Sequence, residues 1–308
     1  MGGIIPDIQG LGGDRINLYG IKATCKMYSP KKYWSTLADA GDLADTSGFA
    51  PILHPFAPAW FNQLIDNLQF RALRRALALA AVPPGVGFLD VGCGTGRWVR
   101  RYGELGFSAV GVDAMIGMLQ MARAYGTRAP LTTGLAQSLP FPDAAFDCVS
   151  DITVVQHIPY ELQSKALHEM ARVLKPGGRM ILMEVICGKD LHIGKDSHVF
   201  PREPRDWISQ VEHCGISLIE WFGQEFLLAD RLYVRLAQTL FGRKDNLVRQ
   251  VQTVSHHSLS RESSVPHRVY WQLREITATF SAWFEPVVER ICPASLATHG
   301  MFVFRKEL

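Results

Sequence analysis

The sequence predicts an α/β protein with a doubly wound parallel sheet. Short apolar runs alternate with helical segments between residues 87 and 221, and glycine or proline turns separate them. This alternation is typical of parallel sheets with crossover helices on both faces. The chain has 308 residues, 47% hydrophobic and 20% charged, a globular composition long enough for one large domain or two modest ones.

The predicted elements follow one another in a regular order. Residues 69–82 are dense in helix formers and end before Pro83, so they form a helix ahead of the sheet. Strands are predicted at residues 87–91, 108–112, 131–133, 146–152, 179–185 and 217–221, with a last extended run at 299–304. Helices are predicted between them at residues 97–103, 117–125, 163–173 and 204–213.

The net charge and the cysteine pattern argue against several functional classes of protein. Lysine and arginine total 32 and aspartate and glutamate 29, a net charge of +3 that does not indicate a nucleic-acid partner. The six cysteines form no CxxC pair, which argues against a zinc site and a secreted disulfide framework and favours a cytoplasmic location. No apolar stretch reaches the ~18 residues of a membrane span.

The stretch that is most informative about function joins the first strand to the next helix. It reads FLDVGCGTG and contains Asp90, Gly92, Gly94 and Gly96. Glycines let the backbone approach a ligand closely, and a helix N-terminus offers free N–H groups. A dinucleotide site needs G-x-G-x-x-G, but here the third glycine comes one residue early and Arg97 follows it. An aspartate ahead of the glycines suits a cationic amino group better than a pyrophosphate, so an NAD oxidoreductase is disfavoured.

FLDVGCGTG resembles the cofactor motif of class I S-adenosylmethionine-dependent methyltransferases. Further stretches resemble that family in the same order, at residues 110–115, 134–151, 168–185 and 299–306. The resemblance covers about residues 70–224 and 299–306. It implies a Rossmann-like seven-stranded sheet with an antiparallel last strand. It also implies S-adenosyl-L-methionine as cofactor, S-adenosyl-L-homocysteine as product and no metal.

The resemblance implies roles for residues near the methionine and ribose of the cofactor. Gly92, Gly94 and Gly96, with Cys93 between them, line the methionine moiety, and Asp90 lies near its ammonium. In the same way, Asp113 accepts from both ribose hydroxyls.

Positions around the adenine are implied in the same way. Ala114 and Met115 cover one face of the ring, and Ala136 donates its backbone N–H. Many relatives have an aspartate where this chain has Leu135, which cannot accept from the adenine amino group. Gln137 or a water is then needed in its place.

The fourth strand ends in Asp151 at the edge where doubly wound folds place ligands. The chain continues as Ile-Thr-Val, unlike the Pro-Pro-aromatic sequence of amino-methylating nucleic-acid enzymes. His157 is the candidate general base, because an unperturbed imidazole titrates near neutrality. The alternative is a histidine that packs beside the cofactor. Glu184 is a weaker catalytic candidate, and a buried structural role suits it equally well.

Two segments outside the family core are rich in aromatic residues. Residues 1–68 form a predicted N-terminal helical cap segment, residues 69–224 and 299–308 the core, and residues 225–298 a helical insertion. An insertion this long between neighbouring strands is typical of a lid. Tyr33, Trp34 and Trp271 are candidate substrate contacts, although aromatic residues at helical spacing also form ordinary cores.

The sequence therefore predicts methyl transfer to a small hydrophobic metabolite, aromatic or polyketide-like. A hydroxyl oxygen is the favoured acceptor, with carbon and nitrogen as alternatives. A protein or RNA methyltransferase, and a non-catalytic cofactor-binding partner of another enzyme, stay open. Whether the chain forms a homo-oligomer is also left open.

Overall fold

The computed structural model describes residues 33–35, 52–54, 57–186, 199–240 and 265–308. Within these ranges one sheet contains seven strands in the order β3-β2-β1-β4-β5-β7-β6. The strands are β1 (Gly87–Val91), β2 (Ser108–Asp113), β3 (Leu131–Thr133), β4 (Phe146–Ile152), β5 (Leu174–Val185), β6 (Ile216–Gln224) and β7 (His299–Lys306). The first five are paired in parallel, and β7 is antiparallel to both β5 and β6. The predicted fold class is confirmed.

The helices described are α1 (Ala59–Ala80), α2 (Arg97–Glu104), α3 (Ile116–Ala124), α4 (Tyr160–Val173), α5 (Pro204–Glu212), α6 (Leu228–Leu240) and α7 (Val265–Ile291). Helix α1 continues without a break through residue 68, because no glycine or proline interrupts residues 59–80. The border predicted between the N-terminal segment and the core therefore falls inside one helix. The rest of the predicted N-terminal segment lies largely outside the described residues.

The two faces of the sheet are covered by different helices. On one face α1 and α2 bury Phe88, Ile181, Met183 and Met301. On the other face α4 and α5 pack over a second apolar cluster that includes Leu182. Because successive side chains of a strand point to opposite faces, each strand contributes to both cores, and the polar residues at its end also divide between the faces.

Strand β5 begins earlier than predicted. The Lys-Pro-Gly-Gly sequence was predicted as a turn ahead of the strand, but Leu174 already pairs with Phe146. The register with β4 then shifts, so that Cys148 pairs with Arg179. Residues 175–178 fall within this irregularity, where Gly177 has a φ of 73°. The Lys-Pro-Gly-Gly sequence therefore forms a β-bulge within strand β5 and not a turn ahead of it.

Helices α6 and α7 lie between β6 and β7 in the chain, in the predicted insertion. They pack along each other, and α7 also contacts α1. A separate apolar cluster forms there from Phe61, Ile65 and Leu68 of α1 with Leu227 and Ala278. Residues 241–264 of the predicted insertion lie outside the described residues. Within the part of the chain that is described, no helix is long and apolar enough to cross a membrane.

Candidate functional site

The glycine loop connects β1 to α2 at the carboxyl edge of the sheet. Gly92, Gly94 and Gly96 have φ angles of 68°, 51° and 72°, in the left-handed region that favours glycine. A Cβ on Gly92 would lie 2.4 Å from the side chain of Val154, and one on Gly96 would lie 2.4 Å from the hydroxyl of Thr127. The loop therefore needs glycine both for its backbone conformation and for its close packing.

Asp90 is buried under this loop. Its Oδ1 accepts a hydrogen bond of 2.9 Å from the hydroxyl of Ser150, and its Oδ2 has no partner. Burial raises the pKa of Asp90 to about 7. A buried carboxylate oxygen without a donor is costly, and a cationic group would satisfy it. The aspartate therefore fits the ammonium of the cofactor.

Asp113 ends β2 on the other side of the glycine loop. Its Oδ2 accepts the N–H of Gly94 at 2.8 Å, and its Oδ1 accepts the N–H of Met115 at 2.8 Å. Burial raises the pKa of Asp113, although these two bonds act against it. Each oxygen keeps a further lone pair, so the oriented carboxylate can accept additional hydrogen bonds from hydroxyl groups. Cys93 is buried within the loop, and Ala114 lies half-buried beside Asp113.

The turn after β3 contains the predicted adenine contacts. Ala136 and Gln137 are half-buried there, between Leu135 and Ser138, which form an isolated bridge. The Leu135 side chain is 39% exposed and brings no acceptor to the turn. The end of the turn is held by a hydrogen bond of 2.8 Å that the Leu139 N–H donates to the Glu169 carboxylate.

Asp151 and Glu184 form a buried carboxyl pair, here called the turn cluster. Asp151 accepts the N–H of Val154 at 3.1 Å, and Glu184 accepts those of Val155 and Gln156 at 2.9 and 3.0 Å. Burial raises the pKa of Asp151 to about 6, and burial together with Asp151 raises the pKa of Glu184 well above its usual range. Both Glu184 oxygens are used by the turn, which favours its structural alternative.

His157 ends the short helical turn held by this pair. Its Nε2 lies 3.3 Å from the side-chain nitrogen of Gln156, whose oxygen accepts the Val185 N–H at 2.6 Å. The Gln156 amide therefore presents its NH2 group to the imidazole, and Nε2 acts as the acceptor. The ring of Trp34 packs edge-on against His157, with centroids 5.0 Å apart. His157 thus lies next to the predicted aromatic segment.

Comparisons with known proteins agree with this geometry. Residues 89–182 match the family described as a methyltransferase domain. The ubiquinone/menaquinone biosynthesis C-methyltransferase UbiE of Laribacter hongkongensis is 37% identical over 146 residues, which cover 44% of this chain and 59% of that protein. The protein of Homo sapiens named Probable tRNA methyltransferase 9B is 34% identical over 139 residues, 44% of this chain and 30% of that protein.

The glycine loop, the two aspartates and the family match lead to one assignment. The chain carries a class I S-adenosylmethionine-dependent methyltransferase domain. The crystal structure of the cyclase SpnF shares the fold, with a TM-score of 0.50, 19% identity, and 77% of this chain and 80% of that chain covered. The chain spans 45–59% of the length of the curated quinone methyltransferases that it matches.

The three predicted substrate residues lie in two places. Tyr33 and Trp34 pack with Met115, Met118 and Met121, beside the glycine loop and α3. Burial raises the pKa of Tyr33 to about 12. Trp271 belongs instead to the contact between α7 and α1. Its ring lies 6.2 Å from that of Trp60 and 5.9 Å from that of Phe61.

A second polar cluster of the methyltransferase was missed by sequence reasoning. Glu225 pairs with His299, and the amides of Gln69 and Gln224 donate to Glu225. We call these four residues the root cluster, because two of them begin and end the insertion. Its acidic and basic members lie 74 positions apart in the chain. No motif or spacing rule connects Glu225 with His299. Their position at the ends of neighbouring strands was the only signal that could have indicated the pair. Within the described ranges, no group of three or more metal-ligating side chains is found.

Proposed function

We propose that this methyltransferase moves the methyl group of S-adenosylmethionine to a hydroxyl oxygen of a small, apolar, aromatic metabolite. One observation carries the proposal. Aromatic side chains lie over the carboxyl edge next to the glycine loop, where Trp34 contacts His157 and packs with Met115 and Met118. Apolar walls around a few polar groups suit a small hydrophobic ligand better than a polymer.

The cofactor contributes an electrophilic methyl group on a sulfonium, and the protein contributes binding and alignment. In this proposal the glycine loop lets the methionine moiety approach the backbone. The free Oδ2 of Asp90 receives the ammonium, and the carboxylate of Asp113 receives the ribose hydroxyls. Ala136 and Gln137 meet the adenine edge. Asp151 acts less directly, because its carboxylate holds the turn after β4.

The cofactor part of the proposal is tested by Asp113→Ala. Losing a charged acceptor should weaken S-adenosylmethionine binding at least about tenfold, since a hydrogen bond to a charged group contributes roughly 1.5–3 kcal/mol. Calorimetric titration measures this change. Asp143→Ala, at an exposed aspartate of the same domain, is the matched control and should leave the affinity unchanged. Equal affinity in both variants contradicts the placement of the ribose.

Carbon is the second candidate acceptor, because a relative that shares 37% identity is named a C-methyltransferase. Ring carbons of phenols and hydroquinones are activated by the same hydroxyl groups, so both chemistries suit an aromatic chamber. RNA is the third, because another relative is named for tRNA methylation. A non-catalytic cofactor-binding role is the fourth candidate, and a cytoplasmic location and a homo-oligomer stay predictions.

One experiment separates these candidates. The protein is incubated with S-adenosylmethionine carrying a 13C-labelled methyl group and, in parallel, with 1,4-naphthohydroquinone, catechol and total tRNA. Carbon NMR distinguishes methyl on oxygen from methyl on carbon or nitrogen. We expect label on a phenolic oxygen. Label found on ring carbon moves the assignment to the second candidate. Label confined to tRNA, or cofactor binding without any transfer, contradicts the proposal.

A further inference from the structure

The root cluster lies where the insertion leaves and rejoins the sheet. Nδ1 of His299 is 3.0 Å from Oε2 of Glu225, and Oε1 of Glu225 accepts from Gln69 at 2.9 Å and from Gln224 at 3.2 Å. Gln69 in turn accepts a bond of 3.0 Å from Arg97, the first residue after the glycine loop. A continuous buried chain of polar contacts therefore joins the cluster to the cofactor loop.

The cluster also contains features that internal packing leaves unexplained. Gln224 is 1% exposed, and its Oε1 has no hydrogen-bond partner. Glu225 has a φ of 60° and Leu227 a φ of 41°, both unusual for residues with a side chain. An unpaired buried amide oxygen and a strained backbone are costly, and such costs concentrate at sites that bind ligands. The unpaired oxygen therefore points to a donor that the chain itself does not supply.

Position in the sheet places the cluster on the α1 face of the carboxyl edge. His299 pairs with Val185 and with Gln224, so it lies one strand away from the end of β5. It shares its face with Met301, which packs against α1, and Asp90 shares that face through Phe88. The cluster is therefore on the same side of the sheet as the carboxylate that fits the ammonium.

We propose that His299, oriented by Glu225, is the base that accepts the proton of a phenolic or enolic acceptor hydroxyl. This inference rests on the proposed methyl transfer and gives it a second candidate base. The bond to Glu225 fixes the tautomer with the proton on Nδ1, which leaves the lone pair on Nε2. His299 keeps 12% of its side chain accessible, and no partner of Nε2 is found among the described residues.

The reaction balances with these groups. The acceptor oxygen forms a bond to the methyl carbon as the carbon–sulfur bond breaks and its electron pair returns to sulfur. The hydroxyl proton passes to Nε2 of His299, and Glu225 stabilises the imidazolium through Nδ1. The free oxygen of Gln224 is suited to a second hydroxyl of the acceptor, as in a catechol or hydroquinone. His157 is less suited, because its Nε2 already accepts from Gln156.

Charged and titratable groups face His299 from several of the elements packed around it. Burial acts to raise the pKa of Glu225, but the charge and hydrogen bond of His299, with Gln69, lower it overall. Desolvation, Arg274 and His299 lower the pKa of nearby His54, and Glu225 acts to raise it. Arg274, which also faces the cluster from α7, is paired with Asp230 at 3.1 Å. The nearby carboxylate is thus the dominant partner of the imidazole.

The test uses 4-nitrophenol, whose ionised form absorbs visible light, and the full chain saturated with S-adenosylhomocysteine. The wild type should bind the probe as phenolate at a pH where the free probe is neutral. Calorimetry in two buffers of different ionisation enthalpy should show no proton release, because the protein keeps the proton. His299→Gln should reduce the bound phenolate at least about tenfold. His168→Gln, at an exposed histidine of α4, is the matched control and should not change it.

Several results overturn the inference. One is a phenolate band that persists in His299→Gln. Faster hydrogen exchange in residues 225–298 of that variant would then show that the pair of Glu225 and His299 has only a structural role. Another is a wild type that does not bind the probe, or binds it neutral. The phenolate absorbance and the proton count of the wild type need no variant. Together they decide whether the protein takes the phenolic proton even if His299→Gln does not fold, because a probe bound neutral also releases no proton but shows no phenolate band. Binding of S-adenosylhomocysteine is measured on the same samples, and its absence contradicts the proposed function instead.

Discussion

Two buried polar clusters occupy the same edge of the sheet on opposite faces, and they are built differently. In the turn cluster, Asp151 and Glu184 accept backbone N–H groups of the turn after β4. In the root cluster, Glu225 receives only side-chain donors, and the neighbouring Gln224 keeps an unpaired oxygen. A carboxylate that accepts backbone N–H groups through both oxygens, as Glu184 does, holds a loop in place, although Oδ2 of the neighbouring Asp151 has no partner. One paired with an imidazole can move a proton, so position at the edge alone does not identify the reactive group.

The largest effect is expected from Glu184→Ala. The change leaves the Gln156 N–H without an acceptor and the Val155 N–H with only a long contact of 3.4 Å to Asp151. Each lost hydrogen bond costs about 1–3 kcal/mol. Stability should fall by about 3–5 kcal/mol, measured by urea denaturation. Glu220→Ala, at a partly exposed glutamate of β6 paired with Arg75, is the control and should change stability by less than about 1 kcal/mol. Similar losses in both variants contradict the structural role of the turn cluster.

The next effect concerns the apolar contact between α7 and α1. Trp271→Ala removes a ring packed against Trp60 and Phe61 and should destabilise the protein by about 2–4 kcal/mol. Trp283 lies on the same helix but is 84% exposed. Trp283→Ala should therefore change stability by no more than about 0.5 kcal/mol. Hydrogen exchange by mass spectrometry should show faster exchange near Glu225 in the first variant alone. Equal behaviour of the two contradicts this account of how α7 is anchored.

Much of the cofactor part of the site could be predicted from sequence. Asp90, Asp113 and Asp151 each lie at or next to the last residue of a strand, and the carboxyl ends of parallel strands meet at one edge. Strand order and the antiparallel β7 also agree with the resemblance. These features are local in sequence or repeat with a fixed period, so a single chain reveals them.

The root cluster could not be predicted in this way. Glu225 and His299 meet only because β6 and β7 are neighbours and the chain between them returns to its starting point. Trp271 and Trp34 were grouped as substrate contacts by composition, yet one lies against α1 and the other against α3. Tertiary packing decides such contacts, and composition carries no information on which helix faces which.

A smaller effect, of opposite sign in the two clusters, is expected from pH. The folded pKa of Asp151 is raised from 3.8 to about 6, so its contribution to stability is present at low pH and lost as pH rises through that range. The folded pKa of Glu225 is lowered from 4.5, so its contribution is present above that value and lost as pH falls below it.

Urea denaturation from about pH 3 to about pH 7 tests the signs by comparing variants with the wild type. Asp151→Asn should remove a decline of roughly 1–3 kcal/mol toward neutral pH, and Glu225→Gln should remove a loss of stability that sets in as pH falls below 4.5. Comparison of variants is needed because Asp90, with a pKa raised to about 7, adds a decline of its own. The same pH dependence in both variants contradicts the distinction between the clusters.

The smallest effect is expected at Thr153, the residue that leads into the turn cluster. Its φ is 61°, which is unfavourable for a β-branched side chain, and its hydroxyl donates to the carbonyl of Ile152 at 2.7 Å. Thr153→Ala loses the hydrogen bond and keeps the Cβ, whereas Thr153→Gly loses both and removes the strain. The glycine variant should therefore be more stable than the alanine variant by about 0.5–1 kcal/mol. At most other positions glycine is the less stable of the two. Denaturation curves of the two variants measure the difference. If alanine is the more stable, the turn is not strained, and Asp151 and Glu184 hold a conformation that the backbone adopts without cost.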